Sequence, residues 1–214
     1  MQDIFILGAG GFAKEVCFLI DDINNHQPSF EVKGFVDARV DQRELMIGNR
    51  RIAVIREDDF LKGSTNAMNV ALGVGDPKLL ASFHDKFSRF RLPNLIHPGF
   101  VGHRDSILFG VGNIITAGCI FTVSIKVGSM NLFNLNSTVG HDTTIGSFNV
   151  FNPGVNLSGG VTIGNGNLVG TNATILQYIT MGSRSVLGAN ALLTKDLGDD
   201  ATAVGVPAKP ISRK

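Results

Sequence analysis

An apolar residue stands at every sixth position over most of the C-terminal half. The series runs Phe109, Ile115, Phe121, Val127, Phe133, Val139, Ile145, Phe151, Leu157, Ile163, Val169, Ile175, Met181, Leu187 and Leu193, with no polar member. An amphipathic helix repeats its apolar residues every three to four positions, and a half-buried strand every two. A period of six fits neither. A longer period is superposed on it: Gly128, Gly146, Gly164 and Gly182 recur every eighteen residues, as do Asn113, Asn131, Asn149 and Asn167. Three six-residue units per repeat predict a chain that winds around a three-sided prism. Each unit is a short strand and a tight corner, with its apolar residue pointing inward. One coil cannot bury its own inner face, so coils must stack, about 4.8 Å apart. The recurring glycines and asparagines are expected at the corners, where they tolerate positive φ.

Residues 1–93 follow a different pattern, that of a small parallel α/β sheet. Ile4-Phe5-Ile6-Leu7 reads as a buried strand, and Phe12, Val16, Leu19, Ile20 and Ile23 as the apolar stripe of a following helix. Val32 to Val36 reads as a strand ending at Asp37, Ile52 to Ile55 as a short strand, and Asn69 to Leu72 as another. Leu79, Leu80, Phe83, Phe87 and Phe90 make a second amphipathic helix. Pro93 to Pro98 is the junction. The chain therefore divides into a Rossmann-like domain, 1–93, and a coil domain with a C-terminal tail, 94–214. The tail from Ala203 to Pro210 is rich in turn formers and is expected to pack back on the last coil.

Composition narrows the function classes. A net charge of +1 over 214 residues gives no electrostatic case for nucleic acid or a membrane surface. No apolar run is long enough to span a bilayer. Two cysteines, Cys17 and Cys119, lie in different regions, which suggests a reducing compartment and neither a disulfide framework nor a zinc site. Met1-Gln2-Asp3 lacks the basic start of a signal peptide, so the expected location is the cytoplasm.

Two features carry chemistry. Gly8-Ala9-Gly10-Gly11-Phe12-Ala13 joins the first strand to the first helix in a G-x-G-x-x-A pattern. Small residues let a phosphate approach the backbone, and a helix N-terminus offers it free N–H groups. The alternative is a turn that needs glycine only for tight packing. Asp37 ends the next strand, where a carboxylate can accept from a ribose or a base. Gly75 and Asp76 follow another strand at what is expected to be the same ligand-binding edge. The second feature is His141-Asp142. Between Lys126 and Arg184 there is no lysine or arginine, one histidine and one carboxylate, and these two are adjacent at a corner. An imidazole there can act as general base, and a carboxylate can hold its tautomer. The alternative is an exposed corner histidine without a role.

Taken together, the α/β start with Gly8-Ala9-Gly10-Gly11, the hexapeptide coils, Val139-Gly140-His141-Asp142 and the ending Gly205-Val206-Pro207-Ala208-Lys209 resemble the bacterial sugar O/N-acyltransferases of the hexapeptide-repeat superfamily. The similarity spans essentially the whole chain. It is to the branch of nucleotide-aminosugar N-acetyltransferases and sialic acid O-acetyltransferases. The resemblance implies a left-handed parallel β-helix and a homotrimer that uses acetyl-CoA and no metal. It implies His141 as base, oriented by Asp142, and Asn134 near the acceptor sugar. Gly159 would offer its N–H to the thioester oxygen, and Gly160, Gly170, Pro207 and Lys209 would line the coenzyme. Gly8, Gly10, Gly11, Phe12, Asp37, Gly75 and Asp76 would serve the nucleotide sugar, of the 4-amino-4,6-dideoxy type used in lipopolysaccharide O-antigen and other surface glycans. The chain departs from some members in carrying Val150 where they have a second histidine. Sugar O-acetylation and non-catalytic binding of a sugar nucleotide are the competing readings, and a nicotinamide-dependent oxidoreductase is a more distant one.

Overall fold

The computed structural model describes residues 1–39 and 43–211. The last three residues of the coil domain as delimited from sequence therefore lie outside the described residues. The chain begins with a five-stranded sheet in the order β3-β4-β2-β1-β5, formed by β1 (Gln2–Leu7), β2 (Phe30–Asp37), β3 (Glu44–Ile47), β4 (Arg50–Arg56) and β5 (Asn69–Leu72). β1 lies between β2 and β5, parallel to both, and buries Ile4, Ile6 and Leu7 completely. The apolar run of β1 thus reports a central strand covered on both faces. α1 (Gly11–His26) inserts Ala13, Val16, Cys17, Leu19 and Ile20 into the core, and α3 (Pro77–Phe87) inserts Leu80 and Phe87. Phe90, expected on that helix, lies beyond its end and packs its ring on Phe60 of α2 (Glu57–Gly63). The sheet is not wholly parallel: β3 pairs antiparallel with β4 across a turn in which Gly48 has φ 57°.

From Leu95 the chain forms a left-handed parallel β-helix. Strands of two or three residues alternate among three sheets, and from Ile107 to Leu193 they pair in register with the strand eighteen residues on: Phe133 with Phe151, Val139 with Leu157, Ile145 with Ile163. Fourteen members of the apolar series, Ile115 to Leu193, are buried, and Phe109 at the first coil is half-buried. Large rings fill the prism near its base, where Phe133 and Phe151 stack with centroids 4.7 Å apart. Gly205 and Ala208 hydrogen-bond to Leu192, so the tail folds back on the last coil.

The corners differ from the sequence expectation. Every sixth residue from Gly112 to Asn190 has a left-handed φ, and most of these are not glycine: Ser124, Met130, Asn136, Asp142, Phe148, Asn172, Tyr178, Arg184 and Asn190 all lie between 55° and 63°. The recurring Gly128, Gly146, Gly164 and Gly182 are not among them. Their lack of a side chain serves coil stacking, since a Cβ on Gly146 would sit 2.6 Å from the Gly164 carbonyl oxygen of the next coil. Nor do the recurring asparagines form the turns. Asn113, Asn131, Asn149 and Asn167 are fully buried and form an internal ladder. The Oδ1 of Asn113, Asn131 and Asn149 each accepts from the backbone N–H and the Nδ2 of the asparagine eighteen positions on, for example Asn149 onto Asn131 at 2.9 and 3.0 Å, and Asn167 Oδ1 ends the ladder by accepting from the Ser185 N–H.

The N-terminal layer docks on one face of the prism. The outward positions Ile114, Leu132 and Val150 on that face are buried in the same apolar cluster as Leu72, Leu80 and Phe87. Val150, the position of the second histidine in some relatives, is therefore a packing residue here. His97 Nε2 lies 3.2 Å from Asp22 Oδ2 and links the first coil to α1.

Candidate active site

The corner at His141 brings four of the expected residues together. Asp142 takes the left-handed conformation, φ 58°, and its carboxylate turns back on the preceding residue. Its Oδ2 lies 2.8 Å from His141 Nδ1. A carboxylate only accepts, so Nδ1 donates, and in the neutral imidazole Nε2 is the nitrogen left with a lone pair. The ring is 53% exposed. It extends toward the next coil, where a Cβ on Gly159 would overlap Nε2. The Gly159 N–H donates to no group among the described residues. Gly160 donates to the His141 carbonyl at 2.7 Å and completes the corner. A base with its proton held on the far nitrogen, next to an open backbone donor, can remove a proton while an oxyanion is stabilised.

Asn134 and Gly170 belong to the neighbouring column of corners, two coils apart. Asn134 is half-buried, and its Oδ1 accepts from the Leu135 N–H at 2.8 Å. A Cβ on Gly170 would lie 2.7 Å from the Gly188 carbonyl carbon, so close coil stacking already requires this glycine. Pro207 and Lys209 lie exposed in the tail. Leu193, where the tail meets the prism, pairs in register with Ile175, and so back through Leu157 to Val139. Three coil steps, about 14 Å, thus separate the His141 level from the tail.

The glycine turn forms a second site. Gly8 has φ 101°, and a Cβ there would lie 2.7 Å from Val74 Cγ1, so this glycine serves packing and conformation. Gly10 and Gly11 have open space where a Cβ would stand. Gly10 caps α1 without a side-chain hydrogen bond, and the first turn holds no acidic residue, so its N–H groups face solvent. They open on a cleft of about 440 Å³ lined by Ala9, Gly10, Gly11, Lys14, Asp37, Arg39, Leu45 and Val54. Phe12 is half-buried and packs on the core behind the turn. Asp37 braces the turn: Oδ2 accepts from the Ala9 N–H and Oδ1 from the Arg39 N–H, each at 2.9 Å. Asp76 is the N-cap of α3, with Oδ1 accepting from Lys78 and Leu79, and Gly75 backs onto Leu132 of the coil. Lys14, Arg39, Leu45 and Val54 were not singled out in the sequence. Leu45 comes from β3, whose four residues give too little alternation to stand out, and Val54 from β4, read from the sequence as the short strand Ile52 to Ile55 but given no place at the site.

Among the described residues no cluster of histidine, cysteine, aspartate or glutamate could hold a metal ion, and no helix is long and apolar enough to cross a membrane.

A hexapeptide coil with an imidazole–carboxylate corner, joined to a sheet with an open glycine turn, defines a sugar acyltransferase class. Comparison with known proteins is specific on this point. Residues 3–87 match the family model described as the PglD N-terminal domain. No curated protein sequence matches the chain. Among solved structures, the chain is similar to the H141N mutant of perosamine N-acetyltransferase from Caulobacter crescentus in complex with CoA and GDP-perosamine. The TM-score is 0.87 at 26% identity, covering 100% of this chain and 98% of that one. It is equally similar to the acetyltransferase domain of PglB from Neisseria gonorrhoeae FA1090 in complex with acetyl coenzyme A (TM-score 0.87, 26% identity, 98% of this chain and 99% of that one). WeeI from Acinetobacter baumannii AYE shares the fold (TM-score 0.82, 24% identity, 99% and 100%). The chain is similar to hexapeptide-repeat sugar acetyltransferases over its whole length, and residues 3–87 match the PglD N-terminal domain.

Proposed function

We propose that this protein transfers the acetyl group of acetyl-CoA to the amine of a nucleotide-linked aminosugar, of the 4-amino-4,6-dideoxy type, for surface glycan synthesis. The observation that carries the reading is the His141–Asp142 pair beside the Gly159 N–H. The similar proteins add support: one is an N-acetyltransferase with CoA and GDP-perosamine, another an acetyltransferase domain with acetyl coenzyme A. The nucleotide diphosphate lies on the N–H groups at Gly10 and Gly11, with Asp37 keeping the turn in shape and Gly75 and Asp76 on the side facing the coil. The coenzyme runs along the corner columns from the Pro207–Lys209 tail, past Gly160 and Gly170, to His141. The acceptor sugar lies on the Asn134 side.

The amine attacks the thioester carbonyl, forming a C–N bond. His141 Nε2 takes the proton that the amine loses, and Asp142 stabilises the imidazolium through Nδ1. The Gly159 N–H donates to the oxyanion. When the C–S bond breaks, the imidazolium returns the proton to the departing sulfur and CoA leaves as the thiol. The balance is one amide and one thiol from one amine and one thioester, and no metal takes part. The assembly is a homotrimer, in which a neighbouring prism closes the groove beside the coils.

The test is His141→Ala assayed with acetyl-CoA and a panel of nucleotide aminosugars. The expected result is a kcat lower by about 10²–10⁴-fold, with both ligands still raising the melting temperature. The product is acetylated on nitrogen and resists mild alkali. Unchanged turnover in the variant refutes the assignment of the base, and an alkali-labile product points to O-acetylation.

A further inference from the structure

Two consecutive glycines at the His141 corner are each covered by a ring from a different coil. A Cβ on Gly159 would overlap the His141 imidazole, which rises from the preceding coil. A Cβ on Gly160 would overlap the ring of Tyr178, which comes from the following coil. His141 and Tyr178 thus overlie consecutive residues of one corner, whose Cα atoms are about 3.8 Å apart. The backbone fixes the arrangement: Gly160 N–H donates to the His141 carbonyl at 2.7 Å, and Tyr178 N–H to the Gly159 carbonyl at 3.0 Å. Tyr178 is the chain's single tyrosine. It is 74% exposed although it lies on a glycine, and it holds φ 61°, a conformation unfavourable for an aromatic residue. The coil sets the left-handed φ, as at the other corners, but packing within the monomer does not explain an aromatic ring there, because most of it faces water.

We infer that Tyr178 is a ligand-contacting residue of this site, its ring forming the wall along which the thioester arm of acyl-coenzyme A reaches His141. The inference rests on the acyltransferase reading above. The choice of donor over acceptor follows from position. The nucleotide cleft belongs to the N-terminal layer, which covers the prism face carrying Ile114, Leu132 and Val150. Tyr178 stands in a different column, on the side of His141 nearer the tail, and that approach is left for the donor. An exposed aromatic face suits the methylenes of a pantetheine arm, and the phenol hydroxyl suits one of its amides.

The experiment compares wild type, Tyr178→Asn and Tyr178→Phe in steady-state kinetics. Asparagine tolerates the left-handed turn, so that variant removes the ring without disturbing the corner. The expected result for Tyr178→Asn is a KM for acetyl-CoA raised about tenfold. The KM for the nucleotide aminosugar and the pH profile of kcat stay unchanged. Tyr178→Phe recovers most of the KM. A second measurement needs no variant. The chain has no tryptophan and one tyrosine, so its intrinsic fluorescence reports on Tyr178 alone, and S-acetylpantetheine, which carries no adenine, is expected to change it saturably. An unaltered KM for acetyl-CoA, or a rise in the KM for the sugar instead, overturns the inference while leaving the acyltransferase reading intact. A wild-type protein that neither transfers acetyl groups nor gains thermal stability from CoA overturns both.

Discussion

The substitution Gly159→Ala separates the chemistry of the corner from its stability. The backbone at Gly159 is not in the left-handed region, so alanine fits its conformation. The new methyl would overlap His141 Nε2 and come within 2.9 Å of Cδ2. Ordinary contact begins near 3.4 Å, so the ring must swing aside, and a side chain 53% exposed is free to do so. The cost is one strained rotamer or one weakened hydrogen bond to Asp142, about 1 kcal/mol. The catalytic cost is far larger. A base misplaced by about 1 Å loses on the order of 10²-fold in rate, and one that leaves the reaction altogether about 10²–10⁴-fold. Alanine keeps the backbone N–H at 159, so the oxyanion donor is retained and the loss reports on the ring alone.

Gly164→Ala is the comparison. There the methyl would lie 2.7 Å from both the carbonyl carbon and the oxygen of Gly182. The obstacle is backbone of the next coil, held in register by its neighbours, and it cannot step aside. Overpacking of this kind costs about 1–3 kcal/mol. The assay is kcat at saturating substrates together with the urea midpoint at fixed protein concentration. Gly159→Ala is expected to lose turnover and keep its midpoint. Gly164→Ala is expected to lower the midpoint and, while folded, to keep kcat. A Gly159→Ala enzyme within threefold of wild-type kcat would show that the imidazole does not act from where it stands.

Two further predictions concern the interior. Asn149→Ala removes the Nδ2 bonds to Asn131 Oδ1 and the Gly164 carbonyl, and leaves the Asn167 N–H without its 2.8 Å acceptor, all in a fully buried position. The expected loss is about 3–6 kcal/mol in urea unfolding, against about 1 kcal/mol or less for Asn156→Ala at an exposed strand position. Equal effects would show that the ladder contributes nothing beyond a surface hydrogen bond. Burial raises the thiols of Cys17 and Cys119 from 9.0 to about 11, so neither is expected to react with a disulfide reagent at pH 8 until the protein unfolds, when both do. The same shift makes the unfolded chain ionise at lower pH than the folded one. Its stabilisation is complete below about pH 9 and declines as pH rises toward 11, by about 2–3 kcal/mol for each thiol. Rapid labelling of the folded protein would refute the burial, and a denaturation midpoint that rises over that pH range would refute the sign.

Much of the fold was open to reading because the prism repeats one inward position per six residues, and Ile115 to Leu193 fill it without exception. The hairpin of β3 and β4 was only half seen and α2 not at all. Four residues give too little alternation, and the seven-residue helix buries only Phe60. The corner assignments went astray for a different reason. In this fold the left-handed φ is imposed by the coil, so nine non-glycine residues of seven types accept it between Ser124 and Asn190 only in the sense that the stacked strands on either side hold them there. The residue pattern at those positions is therefore weak. Glycine recurs with the period where the next coil comes too close for a Cβ, which is a packing demand, and the two requirements fall on different positions.

The same geometry accounts for the candidate site. Sequence neighbours His141 and Asp142 meet because Asp142 occupies the imposed left-handed position, which turns its carboxylate back toward the ring. The other participants come from elsewhere in the chain by a fixed increment. Adding eighteen to 141 and 142 gives Gly159 and Gly160, and adding eighteen again to 142 gives Tyr178, the two glycines being the positions that His141 and Tyr178 overlie. In a solenoid, a site is a column, and the in-register pairing of strands eighteen residues apart converts a sequence separation into a contact. A histidine in such a coil is thus to be judged by what stands one period away. Here that position is a glycine with an open N–H, and a bulkier residue would have covered the nitrogen on which the proposed reaction depends.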